Sequence, residues 1–193
     1  MLPPLSDKLD SKRQLLVPVA IVPSLVSTRR NALLELEKVD AVQVRSAGVK
    51  DRFVVEVFAD SSATAAASAS EEPTKPDDAR LRRPTTRITW TQIEFVYLRN
   101  QLYEIAHSAH RWEPCEFCGG ILDLVVFGAD PGGFWVGLLG SKRMAKTLTG
   151  FVNALLTVTT QHTSTDTRGC CIGQNSVPQI VHAFLFAPSS EST

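Results

Sequence analysis

The sequence predicts an α+β fold in which a three-stranded antiparallel sheet packs against a helical subdomain. Residues 39–45 and 52–58 are rich in β-branched and aromatic residues, and the turn residues 46–48 separate them, as in a hairpin. Residues 87–91 alternate between apolar and polar side chains, as a half-buried third strand would. Segments with the apolar spacing of helices follow. Strands followed by helices favour an α+β domain.

The third strand leads directly into a helix. Thr91 and Glu94 have the spacing of a capping box, in which the hydroxyl and the carboxylate each bind a backbone N–H group that the first helical turn leaves unpaired. The helix is therefore expected to begin at Thr91. Its apolar positions recur at helical spacing and form one stripe that can pack on the sheet: Phe95, Leu98, Leu102, Ile105 or Ala106, and Ala109.

Three further helices are predicted after this one. Residues 117–127 are apolar and are expected to form a short helix that begins after the glycine pair 119–120. Residues 141–161 have a long apolar stripe, with Ser141 as the cap. Ser176 is expected to cap a last helix that stops before Pro188.

A single domain is expected, because 193 residues suffice for one hydrophobic core with some loop and tail. We expect residues 36–188 to form it, after an irregular lead-in at 1–35 and before a tail at 189–193. Residues 60–84 contain three prolines and many alanines and serines without apolar periodicity, which predicts a flexible insertion. The apolar run 15–26 contains two prolines and is too short to span a bilayer.

Composition excludes several classes of function. The chain has 20 basic and 20 acidic residues, so no global positive field attracts nucleic acid. Its four cysteines are too few for a disulfide scaffold, and a cytoplasmic setting is expected. Neither a nucleophile elbow, a nucleotide-binding loop nor a metalloprotease motif occurs in the sequence, so we do not expect an enzyme.

Three segments carry a resemblance to a known family. These are WTQIEFVYLRNQL at 90–102, SKRMAKTLTGFVNALL at 141–156 and VPQIVHAFLF at 177–186. In order and spacing they resemble the strand-to-helix junction, the basic helix and the closing helix of the phox-homology (PX) domain. That resemblance implies a phosphoinositide-binding fold. It also implies a cytoplasmic protein that lies at the periphery of endosomal or other internal membranes.

The chain departs from the family at the lipid site. With Phe95 aligned to the family's phenylalanine, Trp90 and Thr91 stand where the family has two arginines. Gln92 stands where the family has the tyrosine that packs on the inositol ring, so the resemblance implies that the 3-phosphate ligand is missing. Arg87 lies three residues too early and on the solvent side of the strand. The loop before the long helix also lacks the family's proline-rich, lysine-ended segment, whereas Arg143 matches a family residue that contacts lipid phosphates.

Lys142, Arg143 and Lys146 form the main candidate lipid site. First-turn N–H groups and nearby cationic side chains attract anions, although an ordinary solvated helix face has the same composition. Phe134 and Trp135 could insert into the membrane interface, or they could cover the core. A second basic run could contact acidic surfaces or merely keep a loop soluble; it comprises Arg80, Arg82, Arg83 and Arg87.

A possible metal site lies between the first two predicted helices. His107, His110, Cys115 and Cys118 offer nitrogen and sulfur donors within a short span, and either Cys170 or Cys171 could replace one of them. Such donors can hold zinc. The alternative is buried cysteines that pack as small hydrophobes, with histidines on the surface.

Two hypotheses for function remain open. The first is a membrane-docking PX-like adaptor in which Arg143, Lys142, Lys146 and Arg87 meet phosphoinositide phosphates. The second is a PX-like fold that has lost lipid binding and recognises a protein partner, with or without stabilisation by zinc.

Overall fold

The computed structural model describes residues 25–49, 51–59, 83–128, 140–161 and 171–187. This part of the chain forms a three-stranded sheet and five helices, which confirms the predicted α+β class. In chain order they are α1 (Leu25–Leu36), β1 (Val39–Ser46), β2 (Arg52–Ala59), β3 (Thr86–Thr91), α2 (Gln92–Ser108), α3 (Glu116–Phe127), α4 (Ser141–Gln161) and α5 (Ile172–Phe186).

The sheet is antiparallel, with the strand order β1-β2-β3. The predicted hairpin is confirmed: Val44 pairs with Val55, and Val55 pairs with Ile88 of the third strand. Between β1 and β2 the chain turns through Gly48, whose φ of 79° favours glycine. One face of the sheet is apolar and buried beneath the helices; it comprises Val42, Val44, Phe53, Val55, Val57 and Ile88.

The predicted start of α2 is also confirmed. The Glu94 carboxylate accepts hydrogen bonds from the Thr91 backbone N–H at 2.6 Å and from its hydroxyl at 2.9 Å. The buried stripe contains Phe95, Leu98, Leu102 and Ala106, as the sequence predicted. These side chains join the sheet and the other helices in one core.

Helix α4 covers the outer edge of β1. Asn153 accepts a hydrogen bond from the Val42 N–H at 3.0 Å and donates one to the Val42 carbonyl at 2.7 Å. The Thr149 hydroxyl accepts a hydrogen bond from the Val44 N–H at 2.9 Å. These side chains form hydrogen bonds with backbone groups of the edge strand, which would otherwise be free to pair with another chain.

Helix α1 was not predicted, because residues 1–35 appeared to be an irregular lead-in. Its buried residues are Arg29, Ala32, Leu33 and Leu36, and the helix packs against α5. Arg29 is fully buried, and its Nε donates a hydrogen bond to the Gln174 carbonyl at 2.9 Å. His182 of α5 contacts the Glu35 carboxylate on the outside of the same pair of helices. The end of the predicted lead-in therefore forms a helix over Leu25–Leu36, and residues 1–24 lie outside the described residues.

Two predicted helix starts were wrong. Helix α3 begins at Glu116, before the glycine pair, with Cys115 as its N-cap. Helix α5 begins at Ile172, with Cys171 rather than Ser176 as its N-cap. The Gln174 N–H donates to the Cys171 sulfur at 3.4 Å, which satisfies a first-turn donor in the way that a serine hydroxyl would.

Within the described ranges, no helix combines the length and apolarity that a bilayer crossing needs. Residues 60–82 of the predicted insertion at 60–84 lie outside these ranges, as does the predicted tail at 189–193.

Candidate functional site

A cationic groove lies between the end of β1 and the first two turns of α4. Arg45 and Ser46 line one side, and Lys142, Lys146 and Thr149 line the other, around a volume of about 360 Å³. The two lysines are four residues apart and therefore share one face of the helix. Because Thr149 binds β1 one turn farther along, α4 lies against the strand and brings both lysines beside Arg45. We call this feature the cationic groove.

Glu56 holds two arginines on the outer face of the sheet. Its carboxylate lies 3.1 Å from Arg45 Nε and 2.6 Å from Arg87 Nη2. The Glu56 side chain is 5% exposed, whereas the two arginines are 60% and 64% exposed. One buried carboxylate therefore neutralises only one of two solvent-facing cations, and the trio keeps a net positive charge beside the groove.

Only two of the four predicted lipid-binding residues, Lys142 and Lys146, line the cationic groove. Lys142, Arg143 and Lys146 are all exposed, but Arg143 is not one of the residues that line the groove. Arg87 faces solvent, as its strand alternation predicted, and its guanidinium binds Glu56. Arg45 was missed, because the sequence did not indicate that α4 would pack against β1 at this point.

Apolar side chains lie at the same end of the molecule as the groove. Strand pairing brings Arg52 opposite Thr91, and the Gln92 N–H donates to the Asp51 carbonyl at 2.9 Å, so the β1–β2 turn lies beside the start of α2. Val49 of this turn is 60% exposed and Ile93 of α2 is 52% exposed. This end of the fold therefore presents both cations and exposed apolar groups. The predicted wedge residues, Phe134 and Trp135, lie outside the described residues.

Trp90 and Thr91, which stand where the PX family has two arginines, make structural contacts in this chain. The Trp90 indole donates a hydrogen bond to the Phe184 carbonyl at 3.0 Å and stacks on the Phe184 ring at 5.2 Å. Thr91 makes the capping contacts with Glu94. A cleft of about 470 Å³ beside them is lined by uncharged side chains and one carboxylate, namely Asp51, Thr91, Gln92, Ile93 and Val96. Arg45, Lys142 and Lys146 line the cationic groove instead.

A second cluster joins three helices on another part of the domain. His110, Cys115, Cys118 and Cys171 each place a donor atom within 4.8 Å of the other three. The Cys171 sulfur lies 3.8 Å from that of Cys115 and 3.5 Å from that of Cys118. We call these four residues the thiol–imidazole cluster.

Three of the four residues proposed from the sequence are in this cluster, and one is not. His107 is exposed and stacks on Tyr103 at 5.4 Å between ring centroids, so it does not join His110. Cys171 takes the fourth position, as one of the two alternatives anticipated; the other, Cys170, lies outside the described residues. The alternative of histidines on the surface therefore holds for His107 only.

The local environment differs among the thiols. Burial raises the pKa of Cys115, but the backbone N–H of Cys118, the thiols of Cys118 and Cys171 and the backbone N–H of Phe117 lower the pKa by more, so that it lies below its ordinary value. Burial is the largest cause of a strongly raised pKa at Cys118, to which the adjacent Cys171 and Cys115 add. The three described cysteines are free thiols.

Comparisons of the chain with protein-family models, with curated proteins and with solved structures found no match. The resemblance to the PX family therefore stays a prediction from the sequence.

Of the second basic run, Arg80 and Arg82 lie outside the described residues, and Arg83 is exposed just before β3.

Proposed function

We propose that this chain docks on phosphoinositide-bearing membranes through the cationic groove. The supporting observation is that Arg45, Lys142 and Lys146, from two elements far apart in the sequence, line one groove at an exposed end of the fold. Such docking would occur on the cytoplasmic face of endosomal or other internal membranes, and it involves no catalytic step.

Both parts of the groove favour phosphate. Each lysine or arginine near an anionic membrane contributes about 1 kcal/mol. The Arg45 guanidinium contacts Glu56 through Nε and Gln43 through Nη2, so it contributes positive charge to the groove. The positive end of the α4 dipole also lies beside Lys142. Charge alone seldom holds a protein on a membrane, and exposed apolar groups supply the second signal. Val49 and Ile93 lie at the same end for this purpose.

The proposed recognition depends on charge rather than on one headgroup isomer. Trp90 and Thr91 cannot bind a 3-phosphate as a pair of arginines would, and the groove holds flexible lysines that accept several phosphate positions. We therefore expect affinity to rise with the number of headgroup phosphates and to fall as salt screens the charges.

Vesicle co-sedimentation tests the proposal. Neutral phosphatidylcholine vesicles, with and without a single phosphoinositide, are mixed with the wild-type chain and with the double variant Lys142→Glu and Lys146→Glu. Reversing two charges should remove more than about 2 kcal/mol, which lowers binding by about 30-fold or more. The matched control is Arg30→Glu with Lys38→Glu, which makes the same change in charge at exposed positions that do not line the groove.

Two results would count against docking through the cationic groove. Equal pelleting of the groove variant and its control would show that the groove is not the docking surface. A wild-type chain that does not pellet with any phosphoinositide vesicle would favour the second candidate, a protein-interaction module. A specific observation supports that candidate: an apolar cleft of about 400 Å³ between α2 and α5, where Tyr97 is 65% exposed and lies beside Ile180.

A further inference from the structure

We propose that His110, Cys115, Cys118 and Cys171 bind one Zn²⁺ ion as a structural site. The inference is independent of membrane docking, because none of these residues lines the cationic groove. It rests on the donor set, the spacing of the donors, the environment of His110 and the close approach of α5.

The spacing of the sulfurs fits a tetrahedral zinc site. Zn–S bonds of about 2.3 Å place two sulfurs of a tetrahedron about 3.8 Å apart. The observed separations from Cys171 are 3.8 Å to Cys115 and 3.5 Å to Cys118. A disulfide needs about 2.05 Å, and three mutually adjacent thiols cannot all pair in this way. Three thiolates and one imidazole select zinc among the common divalent ions.

His110 supplies an independent indication of a ligand. Its Nε2 atom is buried, and among the described residues nothing forms a hydrogen bond with it. A buried polar atom without a partner loses its contact with water without compensation. Because the sulfurs of three cysteines lie within 4.8 Å of a ring nitrogen of His110, a metal ion at their centre would give this imidazole a partner.

The backbone around the cluster suits thiolates. Cys115 and Cys171 are the N-caps of α3 and α5, so two helix N-termini begin at ligand sulfurs. The Gln174 N–H donates to the Cys171 sulfur, as an outer-shell donor does in a metal site. Positive helix ends favour the deprotonated form that binds metal. On binding, each of the three thiols releases one proton, and the filled site carries a net charge of −1.

All four positions of the proposed site are filled by protein, which is the arrangement of structural rather than catalytic zinc. The ligands come from the segment after α2, the start of α3 and the start of α5. The ion would therefore join three helices whose connections include the segment 162–170, which lies outside the described residues.

Metal analysis of tag-free protein, made with zinc in the medium and gel-filtered, tests the site directly. We expect about one zinc per chain, and reconstitution with cobalt(II) should give the visible bands of tetrahedral cobalt and the near-ultraviolet charge transfer of thiolate ligands. Less than about a tenth of an equivalent of zinc, together with a cobalt spectrum that lacks these bands, would overturn the proposal.

Two histidine variants make the test specific. His110→Ala should lower zinc affinity by more than about tenfold and change the cobalt spectrum, because it removes one ligand. His107→Ala, an exposed histidine one turn earlier, should leave both unchanged. If His110→Ala fails to fold, a membrane-permeant chelator added to the wild-type chain gives the same decision: a lower unfolding temperature supports the site, and an unchanged one contradicts it.

Discussion

Arg29 of α1 donates a hydrogen bond to the carbonyl of Gln174 in α5, at 2.9 Å. In a regular helix this carbonyl would accept the N–H of the residue four positions later, which is Pro178. Proline has no N–H, so this carbonyl lacks its usual donor within the helix. Arg29 fills that place from a neighbouring helix, which explains how a fully buried arginine and an internal proline stabilise the contact between α1 and α5.

This relationship predicts coupling between the two positions. We expect Arg29→Met to lower the free energy of unfolding by about 3 kcal/mol, because the Gln174 carbonyl loses its donor and the buried guanidinium loses its polar contacts. In a Pro178→Ala background the same change should cost about 1 kcal/mol less, because the introduced alanine supplies the helical N–H. Denaturant unfolding of the four proteins measures this cycle, with the exposed Arg30→Met as the control. Equal costs in both backgrounds would contradict the pairing.

Helix α1 was difficult to predict for the same reason. Its buried face contains Ala32, Leu33 and Leu36 at helical spacing, but the residue one turn earlier on that face is Arg29. A charge at a buried position interrupts the apolar pattern, and the contact between Arg29 and the Gln174 carbonyl of α5 accounts for it. In α2, by contrast, every buried position carries an apolar residue, namely Phe95, Leu98, Leu102 and Ala106.

The candidate sites were predictable in part. The lysines of α4 stood out as a cationic cluster, but Arg45 lies about 100 residues earlier, and only the packing of α4 on β1 brings them together. Likewise, the C-x2-C pair was visible in the sequence, whereas the choice of His110 over His107 depends on which side of the α2 end faces α5.

The second prediction concerns the edge of the sheet. Asn153→Ala removes both side-chain hydrogen bonds to Val42, and we expect it to lower the free energy of unfolding by about 1–3 kcal/mol. Thr157→Ala is the control on the same helix, because its hydroxyl bonds only to the Asn153 carbonyl of its own helix. Chemical denaturation gives both values. If the two variants are equally stable, Asn153 does not support the edge of β1.

The third prediction uses two glycines with opposite surroundings. A Cβ atom on Gly173 would lie 2.4 Å from the Cys118 sulfur, whereas one on Gly119 would meet nothing within 4 Å. Glycine-to-alanine changes in helices normally stabilise by about 1 kcal/mol, so Gly119→Ala should raise stability. Gly173→Ala should instead displace the sulfur, lower stability and reduce bound zinc. Thermal unfolding measures the change in stability, and metal analysis measures the change in bound zinc. A Gly173→Ala protein that is more stable and keeps its zinc would show that the cluster is looser than described.

The last prediction concerns Glu56, the carboxylate between two arginines. Glu56→Gln should free Arg45 and Arg87 for phosphate while it weakens the sheet face, because the amide cannot replace two ion pairs. Removal of one negative charge beside the groove should strengthen binding to phosphoinositide vesicles by about 1 kcal/mol, or about fivefold. The control is Glu104→Gln, at an exposed position of α2 that lies about 18 Å along the helix from its first residue, Gln92. Tighter binding of both variants would indicate a response to net charge alone, and no tightening of the Glu56 variant would remove Arg45 from the proposed surface.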